Sequence, residues 1–112
     1  MHMIEAVIKP SALDRIKSSL AQLGILGVTA LECKGYGKQK GHTERYRGGR
    51  MDVGFVPKVM IKIAVKSEDL DKALAAITKA ANTGKIGDGK VFVYDLEKVI
   101  RVRTGESNND AL

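Results

Sequence analysis

A glycine-rich segment in the last third of the sequence has the residue types that bind phosphate. Gly84, Gly87 and Gly89 are closely spaced, and Lys90 follows them directly. Glycines let backbone amides approach an anion because no Cβ atom obstructs them, and a lysine adds a point charge. The segment therefore predicts a phosphate-binding loop, and the alternative is a purely structural glycine turn.

Residues 84–90 also satisfy the G-x-x-x-x-G-K pattern of a P-loop. Val91, however, occupies the position at which a Ser or Thr would hold magnesium. Residues 91–94 are typical of a strand, whereas a P-loop depends on the N-terminus of a helix. We therefore expect phosphate binding without a Walker motif.

Arg101 and Arg103 supply two further cationic groups. They alternate on one side of a predicted strand, Lys98–Arg103, so that both guanidinium groups can reach the same anion with bidentate geometry. A solvated basic strand is the alternative, and spacing alone leaves both interpretations open.

The sequence offers no arrangement typical of catalysis, and we predict a binding protein that is not an enzyme. His42 has no cysteine, second histidine or carboxylate at ligand spacing. Cys33, the only cysteine, is interpreted as a small buried hydrophobe, which is consistent with a reducing cytoplasm. Residues 1–10 lack the apolar run of a signal peptide, so we expect a cytoplasmic protein.

The net charge of +6 favours an anionic partner, which could be nucleic acid, anionic lipid, phosphates or a protein. Residues 34–37, Lys-Gly-Tyr-Gly, match the start of the RNP1 pattern of RNA-recognition motifs. Lys38 then stands where an aromatic residue would stack on a base, and the stretch leaves the second predicted strand, not the third. We therefore expect no nucleic-acid partner, and a nucleic-acid-binding module is kept as an alternative.

Hydrophobic periodicity predicts four strands and two helices that position these segments. The predicted strands are residues 3–9, 27–35, 58–65 and 90–95. Apolar residues recur at helical spacing after Ser11 and after Ser67, which are the predicted N-caps, and Gly24 is expected to end the first helix. The order βαββαβ predicts an α+β, ferredoxin-like sandwich in a single domain, residues 1–112, with a mobile tail at 104–112.

Two features go beyond this minimal fold. The connection 36–57 is far longer than usual, and loops above about 12–15 residues are generally functional or disordered. Two helices also cover only one face of a sheet, so the other face needs a partner, and we expect several copies of the chain to associate through it. That face is predicted to carry Met3, Val7, Leu31 and Met60.

Three stretches resemble one known family, and the resemblance runs over essentially the whole chain without gaps. Residues 33–48, Cys-Lys-Gly-Tyr-Gly-Lys-Gln-Lys-Gly-His-Thr-Glu-Arg-Tyr-Arg-Gly, resemble the base and rising limb of the T-loop of PII signal-transduction proteins. Residues 83–93 are similar to that family's C-terminal signature and B-loop, and residues 100–106 resemble the entry to its C-loop. The resemblance places the T-loop at about 36–57, the B-loop at about 82–90 and the C-terminal loop at about 102–112.

The resemblance implies a homotrimer with a site for ATP or ADP in each cleft between subunits. One subunit would hold the nucleotide through its B-loop, its T-loop base, Thr29 and the backbone near Ala64, and the neighbour would contribute two arginines. Lys38 stands where Arg is usual, and Lys62 and Ala64 replace a more typical acidic residue and Val. The implied nucleotide-binding residues are Thr29, Gly37, Lys38, Gln39, Ala64, Gly87, Asp88, Gly89, Lys90, Arg101 and Arg103.

Binding of 2-oxoglutarate beside Mg²⁺ and ATP is also implied by the resemblance. Gln39 would ligate the metal, Lys58 would bind the distal carboxylate of the acid, and Gly87 would belong to the same site. The alternative is a PII-like variant that senses another small anion, such as bicarbonate, which the retention of Gln39 and Lys58 disfavours.

The T-loop implies a protein partner, which would be an ammonium transporter or a nitrogen-metabolism enzyme. The implied partner-binding residues are Tyr46, Arg47 and Gly48, and Arg47 resembles the residue that plugs the transporter pore in relatives. Membrane association would come only through such a transporter. Relatives that are covalently modified carry Tyr at the position of Met51 or Ser at that of Gly49, so we expect control by ligands alone.

Overall fold

The computed structural model describes residues 1–37, 44–45, 51–52 and 54–112. Within these residues, two α-helices, α1 (Leu13–Gln22) and α2 (Leu70–Ala81), alternate with the strands of a sheet. The strands are β1 (His2–Ile8), β2 (Thr29–Gly35), β3 (Glu44–Arg45), β4 (Met51–Asp52), β5 (Val56–Val65) and β6 (Gly89–Asp95).

Four strands form one antiparallel sheet in the order β2-β5-β1-β6. At one end of the sheet, Ile8 of β1 lies opposite both Val59 of β5 and Gly89 of β6. The short strands β3 and β4 pair with each other as a separate ribbon between β2 and β5 in the sequence. The predicted α+β fold with βαββαβ order is therefore confirmed, and the ribbon is inserted in the long connection.

One face of the sheet packs against both helices, and this layer contains the hydrophobic core. The alternation predicted for β1 is confirmed, because Ile4, Ala6 and Ile8 are at most 1% exposed. Neither helix of the described residues is long and apolar enough to cross a membrane. The core consists of Ile4, Ala6, Ile8, Ala12, Ile16, Leu20, Val59, Ile61, Ile63, Val65, Ala73, Ile77 and Ala81.

The ends of the helices differ from the prediction at their N-termini only. Gly24 ends α1 as expected, with a φ of +80°, while the amide of Ile25 donates to the carbonyl of Leu20 at 3.0 Å. The predicted caps are wrong, because Ser11 and Ser67 lie inside short 3-10 turns that precede the helices and make no side-chain cap. The hydroxyl of Ser67 instead accepts a hydrogen bond from the amino group of Met1 at 2.9 Å.

The C-terminal segment is not the strand and mobile tail that the sequence predicts. Ile100 makes only an isolated bridge to Ser107, because the chain turns back between them. Backbone hydrogen bonds within the turn occupy groups that a strand would pair with the sheet. The amide of Arg101 donates to the carbonyl of Glu106, and the amide of Gly105 donates to the carbonyl of Arg101, each at 2.8 Å. Asn108–Ala111 then forms a 3-10 helix, so the tail has defined structure.

The face of the sheet opposite the helices is open within the described part of the chain. Leu31 is 47% and Phe92 49% exposed there, and a polar row crosses the apolar surface. In that row the hydroxyl of Tyr94 donates to Glu5 at 2.7 Å, and Lys62 lies 3.6 Å from the same carboxylate. The hydrogen bond to Glu5 raises the pKa of Tyr94. The predicted open face, with Met3, Val7, Leu31 and Met60 on the side away from the helices, agrees with this register.

Candidate functional site

The B-loop, residues 82–90, is closed into a ring by the side chain of Asp88. This carboxylate accepts hydrogen bonds from the amide of Thr83 at 2.7 Å, from its hydroxyl, and from the amide of Gly84 at 3.0 Å. Lys9, the residue after β1, places its ammonium group 3.2 Å from the same carboxylate. The hydrogen bonds from Thr83, with smaller contributions from Lys9 and Gly84, hold the pKa of Asp88 far below its usual value, so the carboxylate is ionised.

Two glycines in this loop have backbone conformations that other residues rarely adopt. Gly87 has a φ of +100° and Gly89 a φ of +109°. A Cβ atom added at Gly89 would lie 1.8 Å from the carbonyl oxygen of Val7, inside the backbone of β1. Glycine is therefore required at this position because β6 begins in close contact with β1.

Lys58 of β5 is a buried lysine that contacts the same loop. Its side chain is 6% exposed, and its ammonium group donates a hydrogen bond to the carbonyl oxygen of Gly87 at 2.6 Å. Burial lowers the pKa of Lys58, the neighbouring Lys9 lowers it further, and Asp88 acts in the opposite direction. Gly35 makes room for the lysine stem, since a Cβ atom there would be 3.1 Å from Cγ of Lys58.

These residues gather positive charge around a glycine-rich backbone. Lys9 and Lys58 both approach Gly87, and Lys90 is exposed on β6, opposite Val7. Ammonium groups beside accessible glycine amides can bind phosphate or carboxylate groups. Gly37, which follows β2, lies at the same end of the sheet, because Gly35 pairs with Val56 near the start of β5.

A second group of predicted site residues lies at the other end of the sheet. Arg101 lines a cleft together with Gly27, Ala64 and Leu112. Its guanidinium group contacts Glu106 at 3.2 Å and donates to the carbonyl of Ala111 at 3.3 Å. Thr29, the first residue of β2, pairs with Lys62, two positions before Ala64.

The predicted nucleotide-binding residues of one chain are therefore divided between the two ends of its sheet. Lys58 and Ala64 are six residues apart on β5, which corresponds to about 20 Å at 3.3 Å per residue. The sequence-based interpretation grouped Thr29 and Ala64 with the B-loop of the same subunit. Within the described chain, Ala64 instead shares a cleft with Arg101, and Thr29 lies at that end of the sheet.

Several predicted site residues lie outside the described residues, namely Lys38, Gln39, Tyr46, Arg47 and Gly48. Arg103 is described, and it lies exposed in the turn after Arg101 instead of on a strand. The described ranges contain no group of three or more His, Cys, Asp or Glu residues that could hold a metal ion.

Sequence reasoning missed four residues of these two clusters. Lys9 and Thr83 complete the ring around Asp88, while Glu106 and the C-terminal Leu112 surround Arg101. The alternating pattern of residues 3–9 predicts for Lys9 only a place on the polar face of the first strand. The only sequence feature that could have indicated its role is its place directly before Pro10. This proline ends β1 at the same end of the sheet as the B-loop.

Comparison with known proteins gives consistent matches. Residues 1–106 match the family described as Nitrogen regulatory protein P-II. Proteins named nitrogen regulatory protein P-II from Pasteurella multocida (strain Pm70) and Haemophilus influenzae (strain Rd) are 55% and 53% identical to this chain. The protein of that name from Rhizobium etli (strain CFN 42) is 52% identical. Each match covers all 112 residues of this chain and the whole of the relative.

Proposed function

The chain belongs to the nitrogen regulatory protein P-II family, and from this we propose that it senses ATP, ADP and 2-oxoglutarate and reports them through its T-loop. It is a signal-transduction protein of nitrogen regulation and not an enzyme. The proposal adds the effectors, the residues that bind them and the assembly in which they bind.

The observation that carries the proposal is the preformed B-loop with the buried Lys58 against it. Asp88 already closes the loop, and Lys58 is already buried with its ammonium group on Gly87. Preformed amide and ammonium groups bind an anion with little loss of conformational entropy, because the site is already ordered. This arrangement supports an anionic effector at the loop, and the family supports nucleotide and 2-oxoglutarate as the effectors.

The nucleotide would bind between two copies of the chain, since the two groups of predicted residues lie at opposite ends of the sheet. Gly37, Lys38, Gln39 and the B-loop residues Gly87, Asp88, Gly89 and Lys90 form one half, with Asp88 contributing its backbone only. Thr29, Ala64, Arg101 and Arg103 of a neighbouring copy form the other half. The separation of about 20 Å along β5 supports this division.

The open sheet face would bring the copies together as a trimer of single-domain subunits. Exposed Leu31, Phe92 and Tyr94 lie on that face, and a sheet is stable when both faces are covered. The row formed by Tyr94, Glu5 and Lys62 would add a polar contact near the interface. The expected assembly is three copies of the 12.1 kDa chain.

For 2-oxoglutarate we assign Lys58 to the distal carboxylate, with Gly87 in the same site and Gln39 on a magnesium ion shared with ATP. Burial lowers the pKa of Lys58, because its charged form is poorly solvated. A bound carboxylate would stabilise that charged form. Magnesium would bind the 2-oxo acid end when present. Binding of 2-oxoglutarate is therefore expected to require Mg²⁺ and ATP.

The T-loop, about residues 36–57, would transmit the bound state to a partner through Tyr46, Arg47 and Gly48. The proposed partner is an ammonium transporter or a nitrogen-metabolism enzyme, and the protein would be cytoplasmic except when held at the membrane by a transporter. Met51 and Gly49 offer no hydroxyl group for modification at the loop apex. Intact mass measured after incubation with a uridylyltransferase and UTP tests control by ligands alone, and a uridylyl adduct on any loop residue would contradict it.

Calorimetry and thermal melting with ATP, ADP and 2-oxoglutarate test the proposal. ATP and ADP should compete for one site in each subunit. A nucleotide concentration a hundredfold above Kd should raise the free energy of unfolding by about 2.7 kcal/mol. Lys90→Glu should abolish this shift, while Lys85→Glu, on the same loop and equally exposed, should retain it. No shift of the wild type in millimolar ATP would reject nucleotide sensing, and equal response to bicarbonate in place of 2-oxoglutarate would reject the assigned acid.

A further inference from the structure

Lys9 is the residue of the B-loop cluster that the proposed function leaves without a role. Its side chain is 27% exposed, and its ammonium group lies 3.2 Å from Oδ1 of Asp88 and 3.4 Å from the hydroxyl oxygen of Thr83. It approaches the loop from the end of β1, whereas the other hydrogen bonds that Asp88 accepts come from Thr83 and Gly84. Lys9 is thus the contact through which the sheet holds Asp88.

The position of Lys9 also brings it close to the backbone that would contact phosphate. A Cβ atom at Gly87 would be 3.5 Å from Cε of Lys9 and 3.6 Å from Nζ of Lys58. Two lysine side chains therefore lie close to the backbone of Gly87. Lys58 is directed to the carbonyl of Gly87, and Lys9 is directed to the side chain of the next residue.

Asp88 presents a difficulty for any phosphate ligand at this loop. The carboxylate is ionised, and its charge would repel a phosphate group placed at the neighbouring amides. Its two oxygen atoms already accept hydrogen bonds inside the loop, so it is not available as a ligand. A cation on Asp88 that does not itself bind the phosphate would remove this repulsion.

We propose that Lys9 is a positioning residue for nucleotide binding, which acts through Asp88 by neutralising its carboxylate and holding the B-loop against the end of β1. This inference rests on the proposed nucleotide function and adds a residue outside the predicted site. The ligand class is a nucleoside di- or triphosphate bound by the loop amides and Lys90. Lys9 itself contacts the loop and not the ligand.

Isothermal titration with Mg-ATP tests the proposal in a double-mutant cycle of Lys9→Met and Asp88→Asn. Lys9→Met keeps the aliphatic stem and should weaken ATP affinity about three- to tenfold, as expected for an uncompensated nearby charge. In the Asp88→Asn background the same substitution should change affinity by less than about twofold, because the charge that Lys9 neutralises is gone. Lys9→Arg should restore affinity to nearly that of the wild type, and Lys85→Met controls for loss of one positive charge on the loop.

Hydrogen exchange of the ligand-free protein provides a readout that does not depend on nucleotide. The amides of Thr83 and Gly84, which donate to Asp88, should exchange faster in Lys9→Met than in Lys85→Met. Wild-type affinity in Lys9→Met, or an equal loss in both backgrounds, would overturn the proposal. Loss of ATP affinity in Lys9→Arg equal to that in Lys9→Met would do the same.

The exchange measurement also separates this inference from the proposed function. If the wild type binds no ATP, the nucleotide function fails and the role of Lys9 in binding fails with it. If the wild type binds ATP but the cycle shows no coupling and exchange is unchanged, only the role of Lys9 is wrong. Melting temperatures without ligand show whether each variant is folded. If Lys9→Met is not folded, the same measurements are made on Lys9→Arg.

Discussion

The ammonium group of Lys58 and the carbonyl oxygen of Gly87 are joined by a 2.6 Å hydrogen bond that connects β5 to the B-loop. The two residues are 29 positions apart in the sequence. Burial and the neighbouring Lys9 lower the pKa of Lys58, and Asp88 acts in the opposite direction. If an acid binds Lys58, as proposed, it would compete with this carbonyl and so act on the backbone of the B-loop.

Replacing Lys58 by Met should remove 2-oxoglutarate binding and leave ATP binding largely intact. Met keeps the stem that packs against Gly35 but loses the charge-assisted contact, which is worth about 1.5–3 kcal/mol and corresponds to about a 10- to 100-fold change in affinity. Calorimetry with 2-oxoglutarate, with and without Mg-ATP, measures this. Retained 2-oxoglutarate affinity in Lys58→Met would show that another residue binds the acid.

Gly89→Ala should be far more destabilising than Gly84→Ala. Both glycines have positive φ, so alanine strains the backbone by about 1–3 kcal/mol at either position. Only at Gly89 would the new Cβ meet the carbonyl of Val7, whereas Gly84 has no atom within 4 Å. Urea denaturation of both variants measures the difference, and equal losses of stability would mean that β6 does not begin in contact with β1 as described.

The stability supplied by ionised Asp88 should be lost in acid. Its pKa is lowered from 3.8, so between the two pKa values the unfolded state binds more protons and stability rises with pH. The contribution is fully present above pH 3.8 and disappears as the pH falls through the lowered pKa. Urea denaturation of the wild type and Asp88→Asn between pH 2 and 6 measures it. The difference in unfolding free energy should shrink below pH 3.8, and a difference that grows on acidification would contradict the assignment.

Glu106→Ala should tighten nucleotide binding, because the guanidinium group of Arg101 is engaged by Glu106 in the chain alone. Both side chains of this pair are more than 40% exposed, so the pair is worth at most about 1 kcal/mol, or about fivefold in affinity. Titration with ATP measures the change, and Glu97→Ala controls for the loss of an exposed negative charge. Weaker binding in Glu106→Ala would show that Glu106 orients Arg101 for the ligand.

Lys90→Ala and Arg101→Ala should complement each other when co-expressed. In the proposed trimer each variant alone would lack one half of every site, but a mixed trimer would contain sites in which an intact B-loop faces an intact arginine. Random mixing should restore about a quarter of the sites in a cyclic assembly. Calorimetry on the co-expressed protein counts them, with the separately expressed variants as controls. No restored sites would contradict a site shared between subunits.

The sequence by itself determined the order of the elements and the location of the glycine-rich B-loop. Alternation in β1 and helical spacing in α1 and α2 encode which side of each element is apolar, and this local property does not depend on distant residues. Glycine spacing at 84–90 likewise marks a backbone that can approach an anion. The open sheet face and the long connection 36–57 follow from counting the elements available to cover the sheet.

Only the tertiary structure decided which distant residues meet. Lys9 with Asp88 and Lys58 with Gly87 join segments far apart in the chain, and Ala64 and Arg101 line the same cleft. These pairings follow from strand register and from the turns that end the strands, and one residue of register changes every contact. The prediction of a strand at Lys98–Arg103 was wrong for the same reason. The residues alternate as in a strand, but the turn at Gly105 directs the chain back, and Ile100 pairs with Ser107 instead of with the sheet.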